Sequence, residues 1–468
     1  MLEAERKERQ VLHAAHQQST EKLNQTIADL QRTIADQTAT IGQLLEENRL
    51  LRSPKKNSRN SSIPPSKDEN RPPKTKSLRW ASGKKPGGQK GHEGNTLQMV
   101  ATPDEVIEYH PSFCNSCGND IASFTSLERG VRQVVDIPPI KPIYTEHRIF
   151  SKQCSCGHVT CSSYPSNVNA PISYGNNVAA QIAYLHSRQY LPMGRMAEYF
   201  NSVYNLPMSQ GTICNILERF ATNATAAYEL IKKEVELSAV VGADETGMKV
   251  NGKLNWFWVW QSKTATFITA SANRAFETVS EHFSNGFPNT VLVHDCWSSH
   301  LNTVAANHQL CLAHLLRELT YLEEKYQCTW SKQLNKLFLQ ALELKKSLSP
   351  KDYDKPIQER AMLEAKLFEL IHANLAPPFP EVLTFQKRMI KHKDYLFTFL
   401  YHHDVPADNN ASERGIRNIK VKQKVSNGFR SWNGANIYAI IRSVAETCIK
   451  SNQSIMEAFR IIADLKTT

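Results

Sequence analysis

Apolar residues recur in alternating steps of four and three from Leu23 to Leu51, through Ile27, Leu30, Ile34, Ile41 and Leu44, with Gln37 and Asn48 filling two of the positions. Such a heptad repeat predicts a long helix with one apolar seam. Taking Leu23 as d puts Ile27, Ile34 and Ile41 at a, Leu30, Leu44 and Leu51 at d, and Asn48 at a as a single polar residue. That combination favours a parallel two-stranded coiled coil, so residues 1–52 are expected to join two copies as a homodimer. The alternative is an amphipathic helix lying on its own globular body.

Helical spacing returns from Ala179 to Phe220, broken at Leu191-Pro192-Met193-Gly194 and at Asn205-Leu206-Pro207. Ser209 can cap a following helix that carries Ile213, Ile216, Leu217 and Phe220 on one face. Two short helices around a turn predict a helix-turn-helix-like, DNA-binding module over residues 166–235, with Ser209 to Asn215 reading DNA; plain three-helix packing is the other reading.

Beyond residue 236 the period changes to that of strands. The run Ala239-Val240-Val241-Gly242-Ala243 leads into Asp244, and Thr246, Met248 and Val250 then alternate up to Asn251-Gly252. Asn-Gly between two strand-like runs predicts a hairpin, because both central residues of a type I′ turn need positive φ. Leu254 to Trp260 is apolar on both faces, as expected of a strand covered by helices on each side, which makes its tryptophans core residues rather than base-stacking platforms. A third strand over Ala265 to Ala272 and a helix over Ala275 to Phe283 precede Val291-Leu292-Val293-His294. The right-handed crossover rule lays that strand parallel to the first, so Asp244 and Asp295 become neighbours. Residues 315–402 read as an inserted helical domain, and Glu413 opens a later helix.

The chain has 468 residues, 41% of them hydrophobic, which is too long for one ordinary domain and enough for at least one sizeable core. Its formal net charge of +11 favours polyanionic partners such as nucleic acid, double-stranded DNA included, or, less specifically, an anionic membrane surface. There is no long uncharged apolar run, and Met1 to Gln10 is dense in charge where a secretory signal needs apolar residues, so a cytoplasmic protein without membrane contact is expected. Ten cysteines in such a compartment read as thiols or metal ligands.

Residues 53–100 form a basic flexible linker in this reading, rich in Ser, Pro, Gly and Lys, with Lys84, Lys85 and Lys90 available to lie along phosphates. The stretch Lys85 to His92 lacks the strand, the Gly-Lys-Ser/Thr ending and the helix of a phosphate-binding P-loop. Cys114-Asn115-Ser116-Cys117-Gly118 and Cys154-Ser155-Cys156-Gly157 supply four thiolates for tetrahedral Zn²⁺, with His158 and Cys161 as possible substitutes. The alternations Val131 to Ile137 and Ile143 to Lys152 predict two strands, making residues 101–165 a zinc ribbon.

Asp244, Asp295 and Glu413 are the candidate catalytic residues. An ionised carboxylate at the edge of a core loses several kcal/mol of hydration unless a positive group compensates it, and a divalent cation does so. Three antiparallel strands, a crossover helix, a parallel strand and a later acid-bearing helix form the arrangement of a ribonuclease-H-like catalytic core, here residues 236–314 and 403–468. Such cores hold two Mg²⁺ (or Mn²⁺) ions roughly 4 Å apart for in-line phosphoryl displacement. Glu413 has a second reading, since Asn410-Ala411-Ser412-Glu413 has the offset of a capping box. Arg414, Arg417, Lys420, Lys422 and Lys424 form a cationic stretch suited to DNA phosphates or, more plainly, a solvated helix face.

Several segments together resemble the DDE transposases of the insertion-sequence-66 family. They are Asn57 to Asp68, Pro86 to Gly94, the cysteine pairs, Asp244-Glu245-Thr246, His294-Asp295-Cys296-Trp297 and Asp408-Asn409-Asn410-Ala411-Ser412-Glu413-Arg414. The resemblance implies that Glu413 is the third acid, and that Cys311 and His314, in Cys311-Leu312-Ala313-His314, support the site or the DNA. The bland alternative is a helix turning Leu312, Leu315, Leu316 and Leu319 to the core. Many members of that family continue beyond the last core helix with a further small domain, whereas this sequence stops at Thr468. The implied activity is metal-dependent cleavage at element ends and strand transfer into target DNA, with accessory proteins of the same element as possible partners. The alternatives are an inactive DNA-binding regulator descended from such an enzyme and a structure-specific nuclease.

Overall fold

The computed structural model describes residues 2–52, 55–58, 60–61, 68–69, 97–165, 168, 170–376 and 379–465. Most of the basic stretch over 53–100, including Lys84, Lys85, Lys90 and Pro86 to Gly94, lies outside them.

Helix α1 (Leu2–Arg52) runs unbroken for 51 residues, about 76 Å. Its seam faces solvent, with Leu23, Ile27, Leu30, Ile34, Ile41 and Leu44 between 45% and 62% exposed. In the cysteine-rich region, short strands β1 (Ser151–Gln153) and β2 (Val159–Cys161) pair antiparallel around the second cysteine pair. The strands expected over Val131 to Ile137 and Ile143 to Lys152 do not form, apart from the last two residues of the latter. Alternation signals a strand only where a layer covers one face, and here Val134 and Ile143 are 94% and 93% exposed.

Three helices follow, α2 (Asn176–Ser187), α3 (Met193–Tyr204) and α4 (Gln210–Glu236). The breaks fall where Pro192 and the left-handed Asn205 place them, and the Ser209 hydroxyl accepts the Thr212 N–H at 3.0 Å to cap α4. Strands β3 (Val240–Val250), β4 (Lys253–Gln261) and β5 (Thr266–Ser271) come next. Asn251 and Gly252 have φ of +52° and +75° between the first two, as their turn requires. Then come α5 (Phe276–His282), β6 (Phe287–His294), α6 (Ser298–Leu301) and β7 (Ala305–Leu310). Helices α7 (Leu312–Tyr326), α8 (Thr329–Ser347), α9 (Gln358–Ile371), α10 (Pro380–Lys391) and α11 (Thr398–Tyr401) fill the region expected to be helical. The chain continues with α12 (Asn410–Ser426), α13 (Trp432–Lys450) and α14 (Ile455–Asp464).

The strand order is β5-β4-β3-β6-β7. The β3 and β6 pairing is parallel, as the crossover rule requires, and β4 and β5 are antiparallel. Strand β7, parallel to β6, was not expected from the sequence, because Ala305-Ala306-Asn307-His308-Gln309-Leu310 has no strand-like alternation.

The chain divides into two compact units, residues 1–73, 237–244 and 275–411, and residues 74–236, 245–274 and 412–468. In the first, Leu310, Leu315, Leu334, Phe338, Phe385 and Phe399 form a core between β7 and helices α7 to α11. Buried Gln309 is fully satisfied, donating to the Leu310 and Leu396 carbonyls and accepting the Phe399 N–H. Asn60, 1% exposed, donates to Glu324 Oε2 at 2.8 Å, which ties it to α7.

In the second unit, Phe257, Val259, Ile268, Ile419, Phe429 and Tyr438 form the core. Trp258 and Trp260 are fully buried and stack at 5.4 Å, so both are core residues as expected. Truncating either would cost roughly 3–5 kcal/mol.

Candidate active site

Strands β3 and β6 pair in parallel over the residues that lead to the two aspartates. Val240, Val241 and Gly242 are in register with Val291, Leu292 and Val293. Asp244 stands two residues beyond Gly242 within β3, and Asp295 two residues beyond Val293, immediately after the end of β6 at His294. Adjacent strands lie about 4.8 Å apart. Asp244 is not at the end of its strand, because β3 runs on to Val250; the strand outlasts its parallel partner instead.

Both aspartates are half-buried, and Asp295 Oδ1 accepts the Trp297 N–H at 3.0 Å, which fixes the turn after β6. Next to them is a buried imidazole pair that the sequence reading missed. His294 Nδ1 meets the Asp295 carbonyl and its Nε2 lies 2.9 Å from His308 Nδ1. Burial, reinforced by His300 and His308, holds His294 well below the usual histidine range, and burial holds His308 down at about 4. Both rings are therefore neutral near pH 7, and the contacts assign one proton to each Nδ1, so that His308 donates to His294 and His294 to the carbonyl.

Glu413 lies in the first turn of α12, half-buried, 3.9 Å from Arg417 one turn on. Of the two readings of this helix start, the capping acceptor for the Asn410 N–H is Asp408 Oδ1, at 3.0 Å. Cys311 is buried and its thiol is pushed up to about 11 by that burial, so it is protonated near pH 7; the Asn409 N–H points at its sulfur from 3.2 Å. His314 is half-buried in the first turn of α7, where Leu312, Leu315 and Leu319 face the core as the bland reading has it. A cavity of about 750 Å³ beside α9 and α11, lined in part by Asn307, Phe368 and Tyr401, contains none of these acids.

The cationic stretch on α12 splits by helical period. Arg414, Arg417 and Lys424 are exposed on one face. Lys422 is not a surface residue: it falls with Gly415 and Ile419 on the buried face, is 3% exposed, and directs its ammonium to His186 and the Leu191 carbonyl. Lys420 turns its ammonium to the Gly247 carbonyl. At the start of α4, Gln210, Gly211, Cys214 and Asn215 are exposed, while Ile213 packs inward.

Around the cysteine pairs, the Gly118 N–H donates to the Cys114 carbonyl and the Gly157 N–H to the Cys154 carbonyl, both at 2.9 Å, with φ of +74° and +86° at the glycines. These are two tight turns, one around each cysteine pair, with the positive φ that glycine permits. Among the described residues, which include Asp244, Asp295, Glu413 and the four paired cysteines, no three His, Cys, Asp or Glu side chains stand close enough to share an ion, so neither predicted ligand set is gathered around one point in this structure. Carboxylate oxygens at Asp244 and Asp295 suit Mg²⁺ and thiolates suit Zn²⁺, so the donor chemistry fits both groups.

No helix among the described residues is long and apolar enough to cross a membrane. Residues 4–98 match a family of unknown function. Residues 111–157 match the zinc-finger binding domain of transposase IS66, a range that contains all four predicted zinc ligands but neither His158 nor Cys161. No curated protein matches the chain. Residues 171–437, more than half of the chain and including Asp244, Asp295 and Glu413, match the transposase IS66 family, and the chain belongs to that family.

Proposed function

We propose that this chain is an active DNA transposase with a ribonuclease-H-like core, in which Asp244, Asp295 and Glu413 form the catalytic centre. The observation that supports this reading is the parallel pairing of Val240–Gly242 with Val291–Val293, two residues short of Asp244 and Asp295, within a segment matching a transposase family. The three carboxylates would hold Mg²⁺ or Mn²⁺, which supplies Lewis-acid stabilisation of charge at the scissile phosphate. A water attacks the phosphodiester at the element end and releases a 3′-hydroxyl; that hydroxyl then attacks target DNA, with no covalent protein intermediate.

The chain's own residues bind and orient. Arg414, Arg417 and Lys424 line one face of α12 and would meet phosphates close to Glu413. The exposed start of α4 and the cysteine-rich module, folded around Zn²⁺ held by Cys114, Cys117, Cys154 and Cys156, would recognise the element ends. The apolar seam of α1 would pair with a second copy, as its β-branched a positions and single Asn48 favour.

The test is incubation of the purified chain with a duplex carrying the element's own end, with and without Mg²⁺. Mg²⁺-dependent nicking at the end followed by joining to target DNA is the expected result. Binding without cleavage would indicate a regulator, and cleavage without joining a nuclease.

A further inference from the structure

Asn409 does more than separate Asp408 from helix α12. It is 3% exposed, and its side-chain amide donates to the Ala243 carbonyl at 2.7 Å, one residue before Asp244. Its main-chain N–H points at Cys311 Sγ, 3.2 Å away. Around it, the Leu312 N–H donates to the Ala407 carbonyl at 2.9 Å and the Cys311 N–H to the His294 carbonyl at 2.8 Å. A single residue thus touches the strand of Asp244 and, through Cys311, the end of β7 that holds His294 beside Asp295. It also immediately precedes the helix whose first turn carries Glu413.

We infer that Asn409 is a positioning residue for the acidic centre, with Cys311 as its sulfur acceptor; this rests on the three acids being the catalytic centre. The Ala243 carbonyl belongs to the peptide that leads into Asp244, so an amide held against it restricts the orientation of that aspartate. The same residue is the last before α12, whose first turn carries Glu413. This gives Cys311 a role that needs neither metal ligation nor nucleophilic chemistry. A buried cysteine with a protonated thiol suits that role, since its sulfur accepts a weak hydrogen bond without carrying charge.

The experiment compares the full chain with Asn409→Ala, Cys311→Ser, Cys311→Val and Asp244→Asn. Three quantities are read: Mn²⁺ affinity without DNA by electron paramagnetic resonance titration, affinity for an end-bearing duplex, and the rate of end cleavage. Loss of a group that orients a metal ligand costs about 10- to 100-fold in metal affinity or activity, so Asn409→Ala is expected to weaken Mn²⁺ binding and slow cleavage by that factor with end binding within about twofold of wild type. Cys311→Ser keeps an acceptor and should bind Mn²⁺ like wild type, whereas Cys311→Val, similar in volume, should weaken it about tenfold. The cysteine pair decides the matter if Asn409→Ala fails to fold. Wild-type Mn²⁺ affinity in Asn409→Ala, or equal affinities in the two Cys311 variants, overturns the inference. Full cleavage by Asp244→Asn overturns instead the catalytic assignment on which it rests.

Discussion

Lys422 directs its ammonium inward, 3.3 Å from His186 Nδ1 and 3.4 Å from the Leu191 carbonyl, and so joins α12 to the end of α2 and the turn that follows. Burial holds this lysine down at about 8, from its usual 10.5. Between those pH values the unfolded chain keeps a proton that the folded chain has released, so the stability tied to Lys422 rises with pH through that window. Below about pH 8 the penalty is fully present, at most roughly 3 kcal/mol. Lys422→Met removes the titration. Melting curves from pH 7 to 10.5 should show the wild type gaining on the variant as pH rises; parallel curves would contradict a buried, depressed lysine. End binding should be unchanged in the variant, because the side chain does not reach the surface.

The zinc assignment is tested by stoichiometry. Cys114→Ser and Cys154→Ser are each expected to take bound zinc from about one ion per chain to near zero, since a thiolate site does not survive loss of a ligand. Cys161→Ser, outside the matched range, should retain it. Metal content measured by atomic absorption separates the cases, and loss of zinc in Cys161→Ser would move the ligand set one cysteine along.

Self-association is expected to depend on the seam of α1. Ile34→Asp places a charge at an a position and should weaken dimerisation by at least about 100-fold, read by sedimentation velocity across a concentration series. An unchanged oligomeric state would assign the exposed seam to another partner.

Gly428 tests how the turn after α12 is laid along β3. Its φ is +106°, and a Cβ there would stand 2.5 Å from the Lys249 carbonyl oxygen, which is backbone and cannot swing aside. Gly428→Ala should destabilise the protein by about 2–4 kcal/mol in denaturant unfolding, through both strain and displacement of the Phe429 N–H that donates to that carbonyl. A loss under about 0.5 kcal/mol would show that the turn relaxes freely.

Much of this architecture was legible in the residues themselves. The Asn251-Gly252 hairpin, the apolar β4 and the β6 strand ending at His294, just before Asp295, follow from period and turn chemistry, which act locally. What could not be read is what depends on a covering layer or a distant partner. Val131 to Ile137 alternates like a strand but leaves Val131, Val134, Val135 and Ile137 exposed, and β7 is polar in sequence yet buried at its end through satisfied hydrogen bonds from Gln309. Lys422 looked like one more cation in a basic run; only its place beside Ile419 on the helix turns it inward. Asn409 sat in plain view in Asp408-Asn409-Asn410, but its contacts are with residues about 100 or more positions away along the chain.

The central claim is that Asp244 acts in phosphoryl transfer. It is tested most directly by Asp244→Asn, which keeps the volume of the side chain and removes its charge, assayed on an end-bearing duplex with Mg²⁺ beside the wild type. The expected result is end binding within about twofold and cleavage reduced by at least about 1,000-fold. Cleavage and joining at the wild-type rate would show that Asp244 is not at the seat of the chemistry.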